Sequence, residues 1–445
     1  MKRPATQSMR SMKCAKPRTA PHRSGATYIL VVGSTLIVST LAMSGLLAVR
    51  AQSRTIDSCT RTATARQNAL SAIEIGIQEI ASNTNWRTTH KNDVGGLWFS
   101  NRSIGAGTYT LKASNPNGAL DRSPTDPVVM TGYGTVSGGV ESQMVEVTVV
   151  SQIIPFTCLK TAECAGSNIS FASSSVDAYN QIVASNATGN AISSGGGATV
   201  NAYVEAVGNV SGGGYMSGTP TSGITPYTLP DPTTVFDYYL ANGSVININS
   251  IPLANGVRTV SNVLISPAAN PYGATNAQGI YVIDCAGQAI VFSNSRIVGT
   301  LVLLNPMGGG ASNFKTKMNV APAVANYPSF MVKGDFTFKM NATSLVEGAG
   351  LNFNPPGTPY PYPSGTADSD AVDSYPCEVS GLVYVSGNLE TQTQLTLGQA
   401  VAGGTISHIG GLTLGYDPTF FANPAPGFYT LKMLPSPGTW KQVVN

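Results

Sequence analysis

Residues 24–49, SGATYILVVGSTLIVSTLAMSGLLAV, form a run of twenty-six residues without a charge, closed by Arg23 and Arg50. At 1.5 Å rise per residue a helix of this length spans about 39 Å, more than the hydrocarbon core of a bilayer, which is about 30 Å thick. We therefore expect one transmembrane helix over residues 24–49. A cleaved secretory signal is the alternative, but the apolar region of a signal peptide is only about 7–15 residues long.

Residues 1–23 hold seven basic residues and no acidic one, whereas the rest of the chain carries 18 basic residues against 22 acidic ones. A basic segment beside a membrane span remains in the cytoplasm. We therefore expect a basic cytoplasmic leader, a single pass through the inner membrane and an ectodomain that is periplasmic or on the cell surface. The basic residues are not clustered on a folded face, so we expect no nucleic-acid partner.

The helical pattern continues beyond the membrane, over residues 50–85. Eight residues follow one another at alternating three- and four-residue steps, and seven of them are apolar: Ile56, Cys59, Ala63, Arg66, Leu70, Ile73, Ile77 and Ile80. Such a stripe is typical of an amphipathic helix. It predicts one helix of nearly sixty residues that ends near residues 82–85 and packs its outer half on the first globular domain.

Within the anchor, Thr40, Ser44 and Ala48 form a small-residue stripe at four-residue spacing. Two interpretations stay open for it. The hydroxyl groups are tolerated because they bond back to helix carbonyls, or the stripe lets a second helix approach closely.

The remainder of the chain predicts a mainly β fold. Only 11% of all residues are charged, and 48 glycines and 28 prolines favour short strands joined by turns. Residues 86–157 alternate like a small antiparallel β domain, which with the helix gives a pilin-like α+β head. We expect residues 158–445 to form a β-helix-like ectodomain with a Pro/Gly-rich C-terminal cap.

The β-helix expectation rests on short β-prone runs separated by Gly, Asn, Ser or Asp. The runs are Val260–Ile265, Gly279–Ile283, Ala289–Phe292, Arg296–Leu304, Phe330–Val332, Phe336–Met340, Leu382–Val385, Gln394–Leu397 and Thr405–Leu414. Their spacing favours a right-handed parallel β-helix, with an irregular β-sandwich as the alternative. The polar tract 165–226 carries the same rhythm and favours short strands over disorder.

Cysteine spacing gives one candidate site. Cys158 and Cys164 are close enough for a local disulfide in an oxidising compartment, and two free thiols are the alternative. Cys285 and Cys377 lie far apart in sequence. We expect no metal and no cofactor, because no CxxC or His-bearing metal motif is present.

No catalytic residue is expected either. His408 has no motif around it and is expected to face solvent from a strand. The enzymatic alternative, a β-helix polysaccharide lyase or hydrolase, would need grouped carboxylates. The candidates are Asp284, Asp335, Glu347, Asp368, Asp370, Asp373 and Glu378. Asp368, Asp370 and Asp373 lie in a proline-flanked loop that suits either Ca²⁺ or plain solvation, and the last is favoured because no EF-hand glycine follows.

The N-terminal motifs resemble type IV pilin-like proteins. A basic leader with Arg-x-Gly-Ala precedes an apolar helix with Leu-x-x-Ser and Leu-x-x-Arg, and Ala-Leu-Ser-Ala-Ile-Glu follows. The matching residues are Arg23, Gly25, Ala26, Leu41, Ser44, Leu47, Arg50, Ala69, Leu70, Ala72 and Glu74. Over residues 20–85 the chain is similar to the PilX-like and general-secretion K-type minor pilins.

The resemblance implies that prepilin peptidase cuts after Gly25, so that Ala26 becomes the first residue. It also implies partners, namely other pilin-like subunits that pack through the helix. Major pilins carry a Glu five residues past the cut, where this chain has Leu30, and minor pilins of these types often lack it too. The tail, with Tyr-Asp-Pro at 416–418 and Pro-Gly-Thr-Trp at 437–440, resembles the endings of exported PilX-like proteins of planctomycetes.

The sequence therefore predicts a non-enzymatic, membrane-anchored minor component of a type IV pilus or type II secretion-like assembly, whose β-rich domain contacts surfaces or adheres. The alternative is a tethered envelope structural protein or adhesin outside any filament. The ligand of the ectodomain, whether an extracellular surface or a polysaccharide, is not given by these patterns.

Overall fold

The computed structural model describes residues 24–443 except 139, 173 and 349. The described chain divides into two compact units. Unit 1 comprises residues 24–151 and 433–443, and unit 2 comprises residues 152–432. The basic leader, residues 1–23, lies outside the described residues.

Helices are few outside the N-terminal segment. Among the described residues the α-helices are α1 Ser24–Ser82, α2 Trp86–Thr89, α3 Asp237–Asn242 and α4 Thr419–Ala422, and single 3₁₀ turns occupy Val94–Gly96, Thr157–Lys160 and Ile248–Ser250. Helix α1 has 59 residues. The expectation of one helix of nearly sixty residues that ends near residues 82–85 is therefore confirmed, and the helix ends at Ser82.

Strands make up most of the remaining described chain. They are β1 Leu97–Ile104, β2 Gly107–Ser114, β3 Val128–Val136, β4 Ser142–Pro155, β5 Glu163–Ala165, β6 Ile169–Phe171, β7 Ser175–Ser185, β8 Asn190–Ser194, β9 Thr199–Ala206, β10 Asn209–Gly212, β11 Tyr215–Met216, β12 Thr221–Ser222, β13 Ser244–Val245, β14 Leu253–Ala254, β15 Val257–Ser261, β16 Leu264–Ile265, β17 Ile280–Asp284, β18 Ile290–Val298, β19 Thr300–Leu304, β20 Asn313–Ala321, β21 Pro328–Lys333, β22 Phe336–Met340, β23 Leu345–Val346, β24 Ser374–Tyr375, β25 Glu378–Val385, β26 Leu389–Thr391, β27 Leu395–Ala402, β28 Ile406–His408, β29 Leu412–Leu414, β30 Tyr429–Pro435 and β31 Lys441–Val443.

The sheet of unit 1 has the order β1-β2-β3-β4-β30, and β31 also pairs with β4. The pairs β1–β2, β2–β3, β3–β4 and β4–β31 are antiparallel, as the alternation of residues 86–157 predicted. The end of the chain thus adds two strands to this sheet. The expectation of one domain over residues 158–445 with a C-terminal cap differs from this arrangement, because strand pairing partners cannot be deduced from the local pattern of the tail.

The outer half of α1 lies on β2 and β3. Its most deeply buried face consists mainly of small residues, Ala65, Ala69 and Ala72 with Ile73. The glycines of β3 explain this contact: a Cβ added at Gly134 would lie 2.0 Å from the carbonyl oxygen of Ala65. Only a strand without side chains there lets the helix backbone approach so closely.

This packing corrects the expected stripe. Ile73 and Ile80 are buried, but Ile56 is exposed and Leu70 and Ile77 are only half-buried. The expected stripe follows the large apolar residues, whereas the contact is set by backbone approach, which favours alanine. The buried face is consequently rotated relative to the expected one.

The inner half of α1 has no protein neighbour that covers it. Each side chain that the structure describes from residue 27 to residue 61 is exposed. Among the described residues α1 is the one helix long and apolar enough to cross a membrane. This fits the predicted single membrane anchor.

Unit 2 is built around a 23-stranded sheet whose strands pair in parallel, apart from the antiparallel pair β14–β15. A strand typically pairs with the strand two places later in the chain, as β17 does with β19 and β19 with β21. The final strands β27, β28 and β29 pair with β5, β6 and β7. The first strands of the unit therefore continue the sheet beyond its last ones.

Several strands of unit 2, among them β19, β21 and β25, contain stretches that are buried on both faces. In β25, Val383 and Val385 belong to the main core, whereas Leu382 and Tyr384 belong to a second apolar cluster on the other face. The second cluster is completed by residues 227–239 and 420–428. Burial on two faces explains why these strands read as unbroken apolar runs.

Each expected β-prone run between residues 260 and 414 overlaps a strand, and Gly299 divides the run 296–304 into β18 and β19. The polar tract 165–226 contains the seven strands β6–β12. The expectation of ordered short strands in that tract is confirmed. The segments between these strands hold many of the Ser, Gly and Asn residues that lower the hydropathy of the tract.

Candidate functional site

The uncharged half of α1, up to residue 49, carries the small-residue stripe. Thr40 and Ser44 are exposed, and each hydroxyl donates to a helix carbonyl at 2.9 Å, Thr40 to Ile37 and Ser44 to Leu41. These bonds satisfy the hydroxyl groups within the helix, as one of the two interpretations expected. Packing of a second helix on Thr40, Ser44 and Ala48 remains a prediction.

The candidate processing site, Gly25–Ala26, lies in the first turn of α1. Gly25 is exposed, and a Cβ built on it would meet no atom within 4 Å. The side chain of Ala26 lies outside the described part. Cleavage after Gly25 stays a prediction.

Cys158 and Cys164 are both free and fully buried in unit 2, so the possible disulfide is not formed in this structure. Burial raises the pKa of the Cys158 thiol, and burial followed by the nearby Cys158 raises that of Cys164. The two thiols are thus kept protonated and behave as small apolar groups of the second cluster. Cys285 and Cys377 are likewise free and buried.

His408 is fully buried, which corrects the expectation that it faces solvent. Its Nε2 lies 2.9 Å from Oε1 of Glu163, and its Nδ1 lies 2.9 Å from the hydroxyl of Thr391. The imidazole also stacks on Phe171. The three polar residues come from different strands and form a closed network inside unit 2.

Sequence reasoning missed Glu163 and Thr391, which are also fully buried. One signal for the burial of His408 is present in the sequence. His408 lies two residues after Ile406 in β28, so alternation places both on one face. The two-residue alternation of the strand therefore predicts the burial of His408 better than the absence of a motif around it does.

A second polar cluster ties down residues 345–375. Arg296, only 1% exposed, donates to the carbonyl oxygens of Thr358 at 3.1 Å and Pro359 at 2.7 Å. Its guanidinium carbon lies 5.2 Å from the ring centre of Tyr360 and 5.3 Å from that of Tyr375. Desolvation lowers the pKa of Arg296. The contacts of Arg296 hold the segment of residues 345–375 against β18.

The expected carboxylates do not come together as one group. Glu347, Asp370 and Asp373 have carboxylate oxygens within 4.8 Å of one another, without Asp368. Glu347 is buried and already accepts from the Tyr375 hydroxyl at 2.7 Å and from the Asp373 backbone N–H at 3.2 Å. These bonds assign Glu347 to fastening the loop.

The other candidate carboxylates serve local turns or stand apart. Asp284 accepts from the N–H of Ala286 at 2.9 Å, and Asp335 accepts from the N–H of Asn388 at 2.7 Å. Glu378 lies at the start of β25. Among the described residues it has no hydrogen-bond or ion-pair partner.

Comparison with known proteins gives little to set beside this geometry. No protein-family model matches the chain, and no curated protein does. Among solved structures the chain is similar to the competence-associated pilin ComZ from Thermus thermophilus, with 10% identity and a TM-score of 0.30 over 86% of this chain and 98% of that chain. A TM-score of this size is too low to establish a shared fold.

Proposed function

We propose that this chain is a non-enzymatic, membrane-anchored pilin-like protein, a minor component of a type IV pilus or type II secretion-like assembly. One observation carries the proposal. In α1, the exposed half from residue 27 to residue 61, which is uncharged as far as Val49, continues without a break into a half that packs on the antiparallel sheet of unit 1. An anchor continuous with a helix-on-sheet head supplies both a membrane span and a surface for neighbouring helices.

The motifs around Gly25 and Leu41–Arg50 support the same proposal by their resemblance to minor pilins. In the proposed arrangement, the basic residues 1–23 remain cytoplasmic, and units 1 and 2 are periplasmic or on the cell surface. Unit 2, whose strands pair in parallel with strands two places on, is proposed to be a right-handed parallel β-helix that contacts surfaces or adheres.

The mature N-terminus, measured by mass spectrometry on protein from membranes that contain a prepilin peptidase, tests the filament proposal. We expect a chain beginning at Ala26. Gly25→Val should keep residues 1–25. The control Gly33→Val leaves the residues at the cut unchanged and should be processed. It is a matched control because both glycines lie in α1 with no atom within 4 Å of an added Cβ.

If the unaltered protein retains residues 1–25, the filament proposal fails. The second candidate function then holds, a tethered envelope protein or adhesin outside any filament. Leu30, at the position where major pilins have Glu, favours that second candidate.

Partner packing is tested by cross-linking in membranes. Ser44→Cys, in a chain whose Cys14 and Cys59 are replaced by Ser, should form a disulfide-linked pair. Leu46→Cys, which lies nearly opposite Ser44 on the helix and is also exposed, should form much less. Equal yields from both positions would show that the stripe of Thr40, Ser44 and Ala48 is no contact surface.

A further inference from the structure

One row of positions on the parallel sheet of unit 2 is polar over six consecutive strands. Cross-strand pairing joins, in this order, Arg296, Asn319, Glu378, Thr396, Thr413 and Asp177. The next position on each of these strands is a buried apolar residue, such as Ile297 or Val320. Because neighbouring residues of a strand point to opposite faces, the polar row lies on the face away from the core.

Two cavities open along this row. The first has a volume of about 390 Å³ and is lined by Arg296, Asn319 and Glu378 together with Tyr360 and Tyr362. That volume falls in the range of about 300–1,000 Å³ common for ligand pockets.

The second cavity, of about 230 Å³, is lined by Glu378, Gln399 and Tyr416. Glu378 and Ser380 line both cavities. The two therefore form one groove that runs across the strands, which we call the tyrosine groove.

The tyrosine groove contains polar atoms that the described protein leaves unpaired. Asn319 is 2% exposed and Gln399 1% exposed, yet the side-chain oxygen of each has no hydrogen-bond partner. The Nε of Arg296 is also unpaired. An unpaired buried polar group costs about 1–3 kcal/mol, so each such atom calls for an explanation.

Glu378 adds a further free acceptor. Its carboxylate has no partner among the described residues, and burial raises its pKa. Tyr360 lines the same cavity as Glu378, and burial, followed by the charge of Glu378, raises the pKa of its phenol. The groove thus offers the Glu378 carboxylate as an open acceptor, whereas the unpaired atoms of Asn319, Gln399 and Arg296 are themselves covered from solvent.

We propose that the tyrosine groove binds a neutral oligosaccharide. Sugar hydroxyls donate hydrogen bonds, so a ligand in the groove can pair with the Glu378 carboxylate without bringing a charge into it. The rings of Tyr360, Tyr362 and Tyr416 provide apolar surface with a polar edge, which suits the C–H faces of sugar rings. The Arg296 guanidinium already donates to the carbonyl oxygens of Thr358 and Pro359, whereas the Glu378 carboxylate has no partner, so an anionic ligand meets repulsion there.

The shape supports an oligomer rather than a single ring. The groove consists of two joined cavities along a row of strands, and a linear chain of sugars can occupy both. This assignment does not depend on processing or on entry into a filament, so the mature N-terminus and the binding assay report on different proposals.

The test uses the full chain in phospholipid nanodiscs, which avoid sugar-headed detergents. Cellohexaose, maltohexaose and mannohexaose are the probes, and binding is measured by saturation-transfer difference NMR and calorimetry. We expect at least one probe to bind with a Kd below about 1 mM. Glu378→Ala should weaken binding about 10-fold or more, because it removes a charged hydrogen-bond acceptor.

Two further variants separate binding from folding. Tyr362→Ala should weaken binding about 5-fold by removing ring contact. The control Tyr203→Ala removes an exposed tyrosine of β9 that does not line the groove, and binding should be unchanged. Circular dichroism spectra of the folded state should match among all variants.

Three results would overturn the proposal. They are no binding of any of the three probes, equal loss in Tyr203→Ala and Tyr362→Ala, or tighter binding of a charged oligogalacturonate hexamer than of each neutral probe.

Discussion

Unit 1 packs alanines against glycine-bearing backbone, whereas unit 2 packs phenylalanine rings against one another. In unit 1 a Cβ at Gly134 would lie 2.0 Å from the carbonyl oxygen of Ala65. In unit 2 the ring of Phe314 lies 4.5 Å from that of Phe330 and 5.2 Å from that of Phe336, centre to centre. The difference teaches that the stability of unit 1 is most sensitive to substitutions that add atoms to the contact, whereas the stability of unit 2 is most sensitive to substitutions that remove atoms from the core.

The largest effect is expected from Phe314→Ala. The side chain is fully buried among four other phenylalanines, so its removal leaves a cavity in the main core of unit 2. The free energy of unfolding should fall by about 3–5 kcal/mol. Denaturant unfolding of the full chain in nanodiscs, followed by circular dichroism, measures it.

Phe314→Leu is the matched control and should lose clearly less, because it refills part of the space. An Ala variant as stable as the Leu variant would show that the ring cluster does not limit unit 2.

The second effect concerns the buried network of unit 2. His408→Ala leaves the Glu163 carboxylate buried without its 2.9 Å partner, so the free energy of unfolding should fall by about 3 kcal/mol. Combining Glu163→Gln with His408→Ala should lose less than the losses of these two single variants added together. Thermal and denaturant unfolding of the four proteins gives this double-mutant cycle, and simple additivity would contradict the pairing.

The third effect tests the close approach in unit 1. Gly134→Ala adds a methyl group beside the backbone of Ala65 and Ala69, and the free energy of unfolding should fall by about 1–3 kcal/mol. The control is Gly189→Ala, where an added Cβ meets no atom within 4 Å. Proteolysis kinetics at the helix and thermal melts would report the loss. If the two variants behave alike, helix packing in unit 1 is not limited by backbone contact.

The smallest effect is the pH dependence carried by Glu378. Burial raises the pKa of Glu378 in the folded state above its ordinary value of 4.5. As pH rises, this carboxyl group therefore loses its proton earlier in the unfolded chain than in the folded one. Stability from this group is therefore present at low pH and is lost as pH rises through the folded pKa. Glu378→Gln removes that loss.

Melting temperatures of Glu378→Gln and the unaltered protein should accordingly converge near pH 4 and separate, with the variant higher, toward pH 7. A variant that is less stable at pH 7 would mean that the carboxylate has a favourable partner in the folded state.

Much of the fold followed from local patterns. The length of α1, its end at Ser82 and the strands between residues 260 and 414 were predictable, because helical periodicity and short apolar runs are properties of neighbouring residues. The candidate sites were less accessible. Glu163 and His408 are 245 positions apart in sequence and meet only because β27 pairs with β5 and β28 with β6 inside the sheet of unit 2.

The sequence by itself determined the apolar anchor, its continuation as one helix and the β-rich character of the chain beyond that helix. Tertiary structure alone decided three things: which face of α1 is buried, that β30 and β31 join the first sheet, and that Arg296, Asn319 and Glu378 line one groove. The reason is physical. Periodicity acts over a few residues, whereas backbone approach at glycine and strand pairing depend on segments that lie far apart in the chain, in some pairs by hundreds of residues.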